Sequence, residues 1–314
     1  MALQTLTLLD LVTLQRNDVL TGLVEDVTTY APEFSVVPVV RRPGTYYEIV
    51  KRTALPTVGF RAVNNGTASA KSSFKKETKE MFFLDVLINV DEAIYKGDDR
   101  STGDILSHEA QGALQNAVIS IGAQFYYGTS NAAFGFGGLR SQLSGSVQAG
   151  GSTNSTSAYL VWFNPWGVCF DVGNDGEIAM PPFMRQQVTA SSITAGATGN
   201  LFAWVSNISC FIGLSVKSNY SVWAVTGISG SGATNKWTDA LAAQLIALIP
   251  LNRRQGLCWF ANRQAVYTLQ AQRTVTLYGT DKLIPDQGVV APQPTSCMGF
   301  PIVQSDSLTN TESD

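Results

Sequence analysis

The chain has 314 residues, a formal net charge of −3 and only 14% charged residues, against roughly 25% in ordinary soluble domains. That length is enough for a large core and about two domains. The slightly acidic balance argues against a general nucleic-acid binder, and no apolar run reaches the roughly 20 residues of a membrane span, so no membrane partner is expected.

Residues 1–40 read as an arm. Thr7 can cap a short amphipathic helix over 8–16, where Leu8, Leu9, Leu11 and Val12 make a sticky face. Asp10 inside that run and the lack of a basic head argue against a secretory signal. The Asn-x-Ser/Thr matches at Asn65, Asn154, Asn207 and Asn219 are then chance. A loose segment is expected as far as Pro38. Residues 45–53 and 75–90 read as strands, the second with Phe82, Leu84, Val86, Ile88 and Val90 on one face at period two. The intervening VNNGTASAKSS has turn residues and no apolar anchor. Residues 41–85 should therefore form a long protruding hairpin with too little apolar surface to fold by itself.

Charge is segregated along this stretch. Between Arg41 and Glu80 stand nine basic residues, Arg41, Arg42, Lys51, Arg52, Arg61, Lys71, Lys75, Lys76 and Lys79, against three acids. Between Asp85 and Glu109 stand seven acids, among them Asp91, Glu92, Asp98 and Asp99, against Lys96 and Arg100. A nearly neutral chain that separates its charge in this way can attract copies of itself, and these residues are the expected inter-subunit contacts. Tyr46, Tyr47, Phe60 and Phe74 could stack on nucleic-acid bases, but the acidic chain as a whole disfavours that role for the arm.

A long helix is expected over 101–127, with Leu106, Ala110, Leu114, Val118, Ile121 and Phe125 as one buried stripe and Gly128 as its stop. Its other face is weakly polar. Residues 141–157 read as an uncharged flexible loop, and 159–170 as a strand interrupted at Pro165. The clearest strand is 208–226, with Ile208, Cys210, Ile212, Leu214, Val216, Tyr220, Val222 and Ala224 on one face. A strand so long must span a whole domain or bend between two sheets. After a Gly/Ser hinge at 227–232 the last third should form a compact α+β unit. It comprises a helix over 238–249 stopped by Pro250, a buried strand at 256–260, a helix over 263–273 capped by Asn262, and a closing strand at 299–304.

No complete catalytic constellation is present. The single histidine, His108, is followed by Glu109, but the second zinc ligand of an HExxH motif is missing, since Gly112 stands there. No G-x-S-x-G elbow exists. AFGFGGL (133–139) and GISGSGA (227–233) match neither a P-loop nor a dinucleotide fingerprint. The acid pairs Asp91–Glu92 and Asp98–Asp99 read as solvated surface. Cys169, Cys210, Cys258 and Cys297 lie far apart among apolar neighbours and read as buried thiols, not as disulfides or metal ligands. No enzyme activity, metal or cofactor is expected.

Seven segments in order carry a resemblance: VVPVVRRPGTYYEIVKRTALP; the returning strand ending LINVDEAIY; the helix end GAQFYYGT with FGFGGL; the pair YLVWFNPWGVCFDV and FIGLSVKSNYSVWAVTGI; DALAAQLIALIP; GLCWFANRQAVYTLQ; and GFPIVQSDSLTNTE. Together they resemble the major capsid proteins of tailed bacteriophages with the Hong Kong 97-like fold, in the short-tailed-phage branch. The resemblance implies an α+β chain with an N-terminal arm (1–40), an extended β-hairpin loop (41–90), a peripheral domain (91–228) with a spine helix over 101–127, and an axial domain (229–314). Placing the long strands of 159–226 before the axial domain resembles the permuted form of the fold.

The resemblance implies self-assembly as pentamers and hexamers into an icosahedral shell around double-stranded DNA, held without sequence-specific binding. It also implies a separate scaffolding protein, a portal protein and a cement or decoration protein as partners, and assembly in the bacterial cytoplasm. Lys71, Lys75, Asn64 and Asn65 near the arm tip lack evident partners for covalent cross-linking, so a non-covalent shell is expected. An encapsulin-like compartment shell, a β-rich tail or decoration protein, and a hydrolase using His108 are the other readings.

Overall fold

A computed structural model describes residues 27–97, 104–164, 166–173, 179–191, 198–230, 235–280 and 291–312. In chain order the elements are α1 (Glu33–Val36), β1 (Val39–Arg41), β2 (Tyr46–Ala54), β3 (Ser73–Glu80), β4 (Phe82–Asp91), α2 (Glu92–Gly97), α3 (Asp104–Tyr127), β5 (Gly145–Gln148), β6 (Thr156–Trp162) and β7 (Val168–Val172). They continue with β8 (Met184–Ser191), β9 (Thr198–Val216), β10 (Val222–Ile228), α4 (Asp239–Ala247), β11 (Leu257–Ala261), α5 (Arg263–Thr280), β12 (Ser296–Cys297) and β13 (Phe300–Gln304).

These strands form three sheets. A five-stranded sheet runs β1-β7-β9-β4, with β8 also on β9; a six-stranded sheet runs β12-β13-β11-β6-β10-β5; and β2-β3 is a hairpin by itself. Strand β9 is the backbone of the first sheet. It pairs with β4 from Ala203 to Ile212, and its ends pair with β8 and β7. Alternation along β4 and β9 follows the expected period of two. Ile88 and Val90 are buried on the side that carries Ile208, Cys210 and Ile212, while Phe83 and Leu87 are exposed.

The two large sheets exchange chain at one place. After β6 the chain turns at Asn164–Gly167, where the Gly167 N–H donates to the Asn164 carbonyl at 2.8 Å, and enters the other sheet as β7. After β9 it returns through 217–221 to β10. The two crossings are bonded to each other, Trp162 N to Ser221 O at 2.9 Å and Lys217 N to Gly167 O at 3.1 Å. Of the two options for the long strand, the bend between sheets is therefore realised. Tyr220 is exposed in the bend and not on the buried face, contrary to expectation. The block 159–226, expected as one set of peripheral strands, divides between both sheets. Strands β11 and β13, which follow residue 228, lie in one sheet with β6 and β10, which precede it. Apolar alternation shows that a strand is half-buried but not which sheet it joins.

Helix α3 has 24 residues, about 36 Å at 1.5 Å per residue. Its C-terminal half is the hub of the core. Phe125 packs 5.5 Å from Phe170 of β7 and 5.8 Å from Phe260 of β11, and Tyr126 lies 5.5 Å from Tyr159 of β6. Ile105, Ala117, Ile121 and Phe125 are buried, but Leu114 of the expected stripe is 47% exposed. The start of the helix is held to the end of β4 and to α2, where Ile105 packs with Val90 and Ile94. Gly128 ends the helix at φ +58, and a Cβ there would fall 2.1 Å from the Gly138 nitrogen. The residue must be glycine for both its left-handed backbone and the close approach of the loop.

The far face of the six-stranded sheet carries a second core, in which Leu160, Trp223 and Trp259 pack under α4 and α5, with Trp237 at 5.1 Å from Trp259. Thr238 caps α4 by accepting from Leu241 N, and Asn262 caps α5 through Gln264 N at 2.9 Å. All four cysteines are free and buried. Expected features that fall at 1–26, 98–103 and 281–290, including the 8–16 helix, Asp98 and Asp99, lie outside the described residues.

Residues 27–40 are not a free arm. Val37 belongs to the main core, β1 pairs in parallel with β7, and Tyr30 accepts from Asp306 N of the C-terminal segment while its own N–H donates to the Asp306 carboxylate. The expected loose segment misses this docking because its partners lie near the other end of the chain.

Candidate functional site

The feature with most surface and least burial is the β2–β3 hairpin. Its strands pair antiparallel from Tyr46↔Glu80 to Ala54↔Ser73. Tyr47, Ile49 and Lys51 alternate toward the body, and Tyr46, Val50 and Phe74 away from it. Beyond Ala54 the tip projects with Leu55 at 73%, Val58 at 91% and Val63 at 88% exposure, and Phe60 fully exposed. Four large apolar side chains in water on one mobile-sized loop are the mark of a contact surface awaiting a partner.

The base of the hairpin is fixed by a buried carboxylate. Asp171 on β7, 1% exposed, accepts from the Tyr47 hydroxyl at 2.6 Å, from Arg42 Nε at 3.2 Å and from Ser215 of β9. The Arg42 guanidinium lies 4.3 Å over the Tyr47 ring. Burial first, then the neighbouring Asp171, pushes the Tyr47 phenol well above its ordinary pKa, so it remains a proton donor. Lys217 reaches Cys169 Sγ at 3.2 Å beside this network, and the Lys51 amine is 3.5 Å from Asn219. One hairpin strand is thus bolted to two strands of the five-stranded sheet.

The expected contact residues divide into three groups. Lys51 and Lys79 both pair with Glu77, Lys76 pairs with Glu48, and Arg42 pairs with Asp171. These charges have partners within the chain. Arg52 stacks on Phe74 at 5.5 Å and Arg61 donates to the Asn65 carbonyl at 2.7 Å. Arg41, Lys71 and Lys75 are exposed, and no ion pair is formed by them among the described residues. Lys75 lies directly opposite Lys51, a like-charge pair that the Lys51–Glu77 bridge relieves.

The acidic end is also partly used. Asp91 accepts from Ala93 N at 2.9 Å at the start of α2, and Glu92 is bridged by Lys96 and by Arg185 of β8, each at 2.8 Å. Those two partners hold its carboxyl below the usual range. The structure therefore does not bring the basic and acidic sets together: Asp91 pairs with Ala203 near one end of β9, and the hairpin base sits at the other end, by Ser215. His108 is exposed on α3. Sequence reasoning missed the Asp171 cluster, whose members lie on β2, β7, β9 and the loop that precedes β2, and form no motif.

Residues 43–314 match the family model for major capsid protein GP7. Among solved structures the chain is similar to that of bacteriophage Epsilon15, with a TM-score of 0.70 at 16% identity, over 100% of this chain and 98% of that one. The likeness is one of fold. The bacteriophage JBD30 capsid is a more distant neighbour, with a TM-score of 0.48, 10% identity and coverage of 90% and 93%. The holo-SrpI encapsulin complex of Synechococcus elongatus PCC 7942 stands further off at a TM-score of 0.44 and 9% identity, over 71% of this chain and 96% of that one. No curated protein matches by sequence.

Proposed function

The chain belongs to the major capsid protein GP7 family and has the Hong Kong 97-like fold, and from this premise we propose that its copies assemble as pentamers and hexamers into a closed icosahedral shell around double-stranded DNA. The observation that carries the proposal is the hairpin: anchored at Asp171, it ends in four apolar side chains that are exposed among the described residues. An anchored arm with an unburied apolar tip is stable only when the tip is covered, and a closed lattice of identical copies covers every tip once. Each contact can be weak, because many act together.

In this reading the five-stranded sheet with α3 forms the peripheral domain, and the six-stranded sheet with α4 and α5 forms the axial domain around the symmetry axes. The exposed Arg41, Lys71 and Lys75 meet acids of a neighbour, Asp98 and Asp99 among the candidates. The DNA is held without sequence-specific contact by a mildly acidic wall. A separate scaffolding protein, a portal protein and a cement or decoration protein complete the particle, which assembles in the bacterial cytoplasm without covalent cross-links. A major capsid protein is a structural component of the virion, and no catalytic role is assigned to His108.

Electron microscopy of the protein, purified from its native source or co-expressed with its neighbouring genes, tests the reading. Closed icosahedral shells enclosing DNA are expected. Shells filled with an enzyme instead of DNA would favour the encapsulin-like alternative, and a uniform small oligomer under all conditions would refute assembly.

A further inference from the structure

The joint between the first described segment and the end of the chain is built on a buried acid. Glu33, at the start of α1, is 1% exposed. Its carboxyl group accepts from the Ser305 hydroxyl and, at 3.3 Å, from the Ser307 hydroxyl. Ser305 Oγ in turn accepts from Ser307 N at 3.0 Å, so the loop is shaped to present both hydroxyls. From α3 the Tyr126 hydroxyl faces the same group but is not aligned for a hydrogen bond. Gly122 of α3 lies against it, where a Cβ would stand 2.6 Å from Glu33 Oε2. Asp306 accepts from Tyr30 N at 3.1 Å on the outer side of the joint and is paired with Arg263 at 2.7 Å. The groups acting on Glu33 include no lysine or arginine.

A carboxylate buried without a cation is costly, and the usual resolution is to keep the proton. We propose that Glu33 is a pH-operated latch: protonated, it holds residues 27–37 against α3 and the C-terminal segment, and ionised, it lets them go. Burial raises the Glu33 pKa above the ordinary carboxylate value, and the hydroxyl donors only partly offset that. The sign follows from linkage. The docked state binds the proton more tightly than the released state, so docking is strongest at low pH. It weakens as pH rises from the ordinary carboxylate range through the raised value.

Amide hydrogen exchange of the full-length chain at about pH 5 and about pH 8, corrected for the intrinsic rate, tests the latch. The reporters are Val37 N, bonded to Glu33 O at 2.8 Å, and Asp306 N, bonded to Tyr30 O at 2.9 Å. Each pKa unit gained on docking is about a tenfold change in the docking equilibrium. Protection at these two amides should fall at the higher pH, while amides of β9 stay unchanged. Glu33→Gln should keep them protected at both values. Ser307→Ala removes a donor to the ionised form and should move the opening to higher pH. Equal corrected protection at both pH values in the wild type would overturn the proposal, as would pH dependence that survives in Glu33→Gln. If Glu33→Gln does not fold, the wild-type profile and the Ser307→Ala shift decide alone, and an unshifted profile in Ser307→Ala counts against the latch.

Discussion

Replacing Asp171 by Asn keeps the volume at the hairpin base and removes the charge on which three donors converge. Two of the bonds, from Tyr47 and Ser215, are shielded from water. Hydrogen bonds to a charged group contribute about 1.5–3 kcal/mol and neutral ones about 0.5–1.5, so each of these two weakens by about 1 kcal/mol. The Arg42 side chain is 29% exposed and recovers much of its lost partner from water, adding about 0.5 kcal/mol. The expected cost is about 2–3 kcal/mol, well below the full penalty of a stranded buried charge, because Arg42 can turn outward. The loss should be local. Amide exchange in the unassembled subunit should accelerate about 30- to 150-fold over 46–54 and 73–80, while β9 and β11 keep their protection. A change below about 0.5 kcal/mol, or an equal loss across the whole molecule, would refute the idea that Asp171 anchors the hairpin as a unit.

Three further tests bear on separate parts of the fold. Phe60→Ser with Val58→Ser should change the thermal midpoint of the isolated subunit by very little, since both side chains are exposed, yet abolish shells in electron micrographs; normal shells would remove the tip from the interface. Lys71→Glu with Lys75→Glu is a cleaner charge test than reversing Lys76 or Lys79, which pair inside the hairpin, and it should slow assembly with a salt dependence that light scattering detects. Gly128→Ala should cost about 3 kcal/mol or more, combining a strained φ with the clash against Gly138, read as loss of soluble folded protein or a collapsed denaturation midpoint.

Glu77 supplies a pH test of the hairpin with the opposite sign to Glu33. Burial opposes its charge, but hydrogen bonds from Lys51 and Lys79 outweigh that and hold its pKa at about 2. A lowered carboxylate stabilises above its unfolded pKa and loses that contribution as pH falls through the folded value. Amides of β2 and β3, with exchange corrected for the intrinsic rate, should therefore lose protection as pH falls from the ordinary carboxylate range to about 2, and Glu77→Gln should flatten the profile.

Local pattern was enough to find most elements. The first hairpin strand, the long helix with its Gly128 stop, the helix capped by Asn262 and the buried cysteines are properties of neighbouring residues, whereas the expected strand over 75–90 divides at Met81 between the hairpin and the five-stranded sheet. Even there one tertiary fact intrudes, since Leu114 keeps the helical spacing but is exposed among the described residues. The charge segregation was equally visible, but not its use, because whether Lys51, Lys76 and Lys79 face a neighbour or their own Glu48 and Glu77 depends on strand register. Only the tertiary structure decided that β6 and β7 part into different sheets, that β11 joins β6 across the expected domain boundary, and that Asp171 and Glu33 are buried. Glu33 and Ser305 are 272 positions apart. A buried carboxyl leaves no periodic trace, for its burial is set by partners that the fold brings from elsewhere in the chain, and periodicity records that a face is covered without recording by what.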